Sequence, residues 1–99
     1  MTISQTIKRV SNDIDLIFRT HKAHGANREA VAALDSATAP LREIQGPTWE
    51  AAQSLLADAH FYYSEQAQRV PIPERIMEEM RRKLVLIRLQ ASAFQARGQ

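Results

Sequence analysis

Apolar side chains recur at Ile3, Ile7, Val10, Ile14 and Ile17, and His21 and His24 continue the row. The 4-3-4-3 spacing keeps to one narrow face of a helix, and only Leu16 falls well off it. Gly25 follows, so the pattern predicts a first helix that runs to His24 and stops there. A second segment opens at Asn27, a good N-cap residue, with Glu29 near the positive end of the helix. Ala30, Leu34, Ala37, Leu41 and Ile44 carry the same spacing through Pro40. Proline inside a helix costs about 3 kcal/mol, so a kink or a restart is expected at Pro40.

The third segment begins at Pro47 or Thr48. Trp49, Ala52, Leu56, Ala59, Tyr63, Gln66 and Val70 share its main face, widened by Leu55 and Tyr62. The fourth begins at Pro73, suited to the first helical position, and runs to Arg97 with Gly98 as its stop. No alternating β-branched run predicts a strand. The expectation is one all-α domain over residues 1–99, an up-down-up-down four-helix bundle with its second helix kinked or broken near Pro40. A three-helix variant is the rival.

The fourth segment is unusual. Met77, Met80, Leu84, Ile87, Ala91 and Phe94 form one apolar stripe, and Val85, Leu86, Leu89, Ala93 and Ala96 form a second on the opposite side. A corner helix of a bundle needs only one. Either the kinked second helix covers the second stripe, or the stripe is a partner-binding surface formed by Val85, Leu86, Leu89 and Ala93. Phe61, on the polar side of the third helix, is a candidate anchor beside it.

Composition narrows the chemistry. The chain has 99 residues, 44% of them apolar, with 3 glycines and 4 prolines, which suits a folded helical domain. It has no cysteine, so thiolate chemistry and Cys-ligated metals are excluded. The N-terminal stretch has no apolar signal core, and the longest aliphatic run is Leu84–Ile87, so the expected location is cytoplasmic with no membrane span. The Arg and Ala richness suggests a bacterial source. Net charge is +2, and five basic residues but no acid lie between Arg81 and Gln99. Lys8, Arg9, Arg81, Arg82, Lys83 and Arg88 are therefore candidate phosphate contacts for a nucleic acid.

Conventional catalysis finds little support. No serine has an evident base, there is no Gly-rich phosphate loop, and no E-x-x-H pair marks a di-iron bundle. Glu78 and Glu79 are expected to face Arg82 and Lys83 on an exposed surface. His21 and His24 could share a metal, but the only other histidine, His60, lies in a different segment and points off the apolar face. Neither metal nor cofactor is expected, and no small-molecule substrate is evident. Arg19, His21, Lys22 and His24 before a glycine also describe an ordinary helix C-terminus, where cations are favoured.

Three short resemblances bear on function. "IFRTHKAHG" resembles the segment of histidine phosphotransfer domains in which an exposed histidine lies four residues before a glycine, implying a phosphoryl-accepting His21. It departs from that pattern at His24, where the family carries lysine, and at Asn27, where a new helix starts. Arg19 and His24 resemble the R-x4-H pair of HEPN nucleases. In "IQGPTWEAAQ" Trp49 stands where WXG100 proteins carry a central-turn tryptophan, but Ala51 replaces the glycine of that motif and Pro71 and Pro73 would break the second helix, so membership of that family is not expected.

The reading that results is a non-enzymatic interaction protein, a small regulator, adaptor or chaperone-like factor, acting as a homodimer or with a protein partner. The alternative is nucleic-acid binding through the first and last helices, and the third is histidine phosphotransfer.

Overall fold

The computed structural model describes residues 1–99. It contains four α-helices and no strand: α1 (Ile3–Thr20), α2 (Arg28–Thr38), α3 (Gly46–Tyr62) and α4 (Glu74–Ala96). Two short 3-10 helices, Ala39–Glu43 and Glu65–Arg69, follow α2 and α3. Each helix packs on its neighbours in the chain, and α1 also packs on α4. The diagonal pairs, α1 with α3 and α2 with α4, stand apart without close backbone approach. This is the expected four-helix bundle, 45 Å long and about half as wide.

Local chemistry explains most boundaries. Thr2 caps α1 through a reciprocal box with Gln5. Asn27 Oδ1 accepts from the Ala30 N–H at 3.0 Å and starts α2. The break at Pro40 takes the form of a 3-10 helix in which proline sits in the first turn, where its missing N–H leaves no helical bond unmade. Gln45, at φ +56° and ψ −169°, makes the tight entry into α3 in a backbone region that favours glycine. Gly98, at φ +78°, closes α4, and the Gln99 N–H returns to the Phe94 carbonyl at 2.8 Å.

The core is built from Ile7, Val10, Ile14 and Phe18 of α1, Leu34 of α2, Leu55 of α3, and Met80, Leu84 and Ile87 of α4. Leu41 of the first 3-10 helix, Tyr62, Tyr63 and the small residues Ala30, Ala52, Ala59 and Ala91 belong to it as well.

Two boundaries differ from the expectation by more than two residues. α1 ends at Thr20, not at His24, and α3 ends at Tyr62, with the remainder up to Val70 partly 3-10. The buried line of α3 is Thr48, Ala52, Leu55, Ala59 and Tyr62. Leu56 and Trp49, expected at its centre, are only half-buried. Short α2 leaves that flank partly open, and the Arg42 guanidinium lies over the Trp49 ring at 5.6 Å.

Candidate interaction face

α4 is the helix with two apolar faces. It packs on α1 and α3 through Met80, Leu84, Ile87 and Ala91, all buried. Val85, Leu86 and Leu89 lie on the opposite side and are 52%, 49% and 57% exposed. Ala93 is half-buried and Ala96 exposed. The possibility that α2 covers this stripe fails, because α2 sits diagonally across the bundle from α4.

Polar pairs fence the two inner edges of α4. On the α1 side Arg81 reaches Asp15 at 3.4 Å, and Lys8 donates to Gln95 at 2.9 Å. On the α3 side Lys83 pairs with Asp58. Lys83 therefore faces the neighbouring helix rather than Glu79, which pairs instead with Arg82 three residues on. The exposed pairs among these contribute about 0–1 kcal/mol each, while Lys83–Asp58 is partly buried. Their larger consequence is positional, since they set the register of α4 and leave its outer face apolar.

The Lys83–Asp58 pair indicates the register of α3 against α4, and Phe61 follows Asp58 by three residues. That residue lies level with Met80, about 9 Å along the axis from Leu86 at 1.5 Å per residue. Phe61 is 36% exposed, and this register puts it toward the Glu79–Arg82 end of the stripe rather than its centre.

The candidate phosphate contacts do not converge. Arg81, Arg82 and Lys83 each hold a carboxylate, and Lys8 is engaged by Gln95. Arg9 faces away from α4, into a cleft of about 610 Å³ between α1 and the α2 break, with Asp13 and Glu43. Arg88 is left with Lys8 in a shallow groove between α1 and α4.

The histidine segment is a structural latch. The Tyr63 hydroxyl donates to the His21 carbonyl at 2.7 Å, and the Tyr62 hydroxyl donates to the Lys22 carbonyl. In return the Gly25 and Asn27 N–H groups donate to the Tyr62 and Tyr63 carbonyls at 2.9 and 3.0 Å. The loop thus satisfies the carbonyls left free where α3 ends. Asn27 Oδ1 is committed to the α2 cap, so its Nδ2 donates to His21 Nδ1 at 3.2 Å, and that nitrogen must carry the lone pair. His21 stands at the end of α1 rather than inside a helix. His24 lies edge-on to Tyr62, with 6.2 Å between ring centroids. No three His, Cys, Asp or Glu side chains gather where they could hold a metal. The latch itself was missed from the sequence, where the adjacent tyrosines near the C-terminal part of the third segment were its only signal.

Gly25 is buried at φ +110°, and a Cβ there would stand 3.1 Å from Gln68 Nε2. Gly25→Ala is expected to cost about 1–3 kcal/mol. Chemical denaturation would check this, with a midpoint equal to wild type counting against the strained conformation.

Burial pushes the Tyr63 phenol up to about 12, Tyr62 adds to the shift, and Arg81 opposes it. Tyr62 is raised as well, by burial first and then by Glu74. The folded state therefore holds the Tyr63 proton more tightly than the unfolded chain, whose phenol titrates near 10.0. This contribution is complete below that pH and is lost as pH rises toward 12. Melting temperature measured against pH should fall through this window, and fall less steeply in Tyr63→Phe, which starts lower by about 1 kcal/mol. Parallel curves for the two proteins would contradict the assignment.

No family model matches this chain, and no curated protein or solved structure matches it significantly.

None of the four helices is long and apolar enough to cross a membrane.

Proposed function

We propose that this chain is a non-enzymatic protein–protein interaction module, a small regulator, adaptor or chaperone-like factor, that docks through the outer face of α4. One observation carries the reading. Val85, Leu86 and Leu89 are each about half exposed on a helix whose opposite face already builds the core. Single exposed leucines are common, but contiguous apolar patches mark interaction sites more often than idle surface. Covering the exposed half of each side chain is worth about 1 kcal/mol, so the three together supply about 3 kcal/mol toward association. The flanking Arg81–Asp15 and Lys83–Asp58 pairs give the patch a polar rim.

The test is a photoreactive amino acid placed at Leu89 in the cells that make the protein. Exposed Ala32, on the diagonally opposed helix α2, serves as the control position. Irradiation should yield adducts of discrete mass from position 89 and none from position 32. No adduct from position 89, or equal yields from both, overturns the reading.

A further inference from the structure

We propose that the occupant of this face is a second copy of the chain, packed antiparallel across a two-fold axis with α4 against α4. The proposal rests on α4 being a docking face, and it adds the partner and its orientation.

The face carries a heptad seam: Glu79, Arg82, Leu86, Leu89, Ala93 and Ala96, spaced 3-4-3-4-3. Its N-terminal half holds long side chains and its C-terminal half holds alanines. An antiparallel pair centred between Ile87 and Arg88 sets Leu86 against the partner's Leu89. The same register sets Arg82 against the partner's Ala93 and Glu79 against the partner's Ala96. Long residues then meet short ones, as close packing of two helices requires. Arg82 can lay its aliphatic stem over an alanine and keep its guanidinium in water.

Charge selects the orientation. Glu79 and Arg97 are eighteen residues apart, five full turns at 100° per residue, and so lie on the same edge of the helix. The two-fold brings Glu79 of each copy, which holds Arg82 in its own chain, beside the partner's Arg97, the C-cap residue whose guanidinium lies over Phe94 at 4.7 Å, so that two opposite-charge contacts can form where both side chains are already ordered. A parallel pair would set Arg82 on Arg82 and would leave each Glu79 on the opposite flank from the partner's Arg97, so it gains no such contact. Because the contact is isologous it closes on itself and builds a dimer, not a fibre. One seam on one helix is a small interface, so the dimer is expected to be weak, with a dissociation constant on the order of 10 μM.

The chain has no cysteine, which makes engineered disulfides unambiguous. Arg82→Cys and Ala93→Cys are prepared separately, checked for helical content, and oxidised alone and as a mixture. The expected product is a disulfide between the two variants, formed in the mixture and not by either alone. A disulfide formed by Ala93→Cys alone means a parallel pair and overturns the proposal. No disulfide in any sample, from folded variants well above 10 μM, overturns self-association. If the photoreactive residue at Leu89 then gives an adduct other than twice 11.2 kDa, the docking face stands with a different partner. If it gives none, both fail. As an orthogonal measurement, Glu79→Arg should weaken the dimer about fivefold, and adding Arg97→Glu should restore it. A double variant no tighter than the single one removes the predicted charge contact and with it the register.

Discussion

Phe18→Ala lowers the folding free energy by about 3–5 kcal/mol and the melting temperature by roughly 20 °C. Phe18 is among the largest fully buried side chains in the bundle, 0% exposed in the last turns of α1. Its ring also carries the Arg81 guanidinium at 5.8 Å, so truncation removes packing on α1 and a contact from α4 together. A single small domain has about 5–15 kcal/mol of total stability, so this substitution removes a large share of it. The matched control is Leu16→Ala on the same helix. Leu16 is 57% exposed, and its loss should stay within about 0.5 kcal/mol. Thermal melts of the two variants give the comparison, and equal losses would mean that the buried face of α1 is assigned wrongly.

Leu86→Glu has the opposite profile. The variant folds with a stability change within about 1 kcal/mol, because Leu86 is 49% exposed and has room for a charge. It loses association at least tenfold, because docking would bury two unpaired carboxylates, one from each copy. Ile87→Glu, one residue on, places the same charge at a position that is 0% exposed and should unfold the chain. Light-scattering mass and helical content, measured on both variants and on wild type, separate the cases. A Leu86→Glu chain that unfolds would show the residue to be core. One that folds and associates like wild type would remove the outer face of α4 from the mechanism.

These two contrasts show where each level of information acts. Helix content, the punctuation at Pro40, Gly46-Pro47 and Pro73, and the two stripes of α4 were legible in the amino-acid order, because each depends on spacing and on backbone restrictions local to a few residues. So were the caps at Asn27 and Gly98. The candidate face was legible as well, since a stripe opposite the core stripe needs only the 100° step of the helix to be recognised.

The end of α1 was not legible. The apolar row continues through His21 and His24, and nothing local forbids another turn. The chain leaves the helix at Thr20, and the carbonyls of His21 and Lys22 take bonds from Tyr63 and Tyr62, 42 and 40 positions away in the sequence. The spacing of α3 likewise offered both Leu55 and Leu56. Leu55 became core because it lies on the side of α3 that packs into the bundle, where α3 meets α4 most extensively, whereas Leu56 is left half covered on the flank beside short α2. The fate of the second stripe on α4 also needed the assembled bundle. Four helices joined in order by short connections place α2 diagonally from α4, so α2 does not cover Val85, Leu86 and Leu89, which stay about half exposed. Residue order alone determined that the stripe exists; tertiary packing decided that it stays open, because covering it requires a neighbour that the topology puts on the far side of the core.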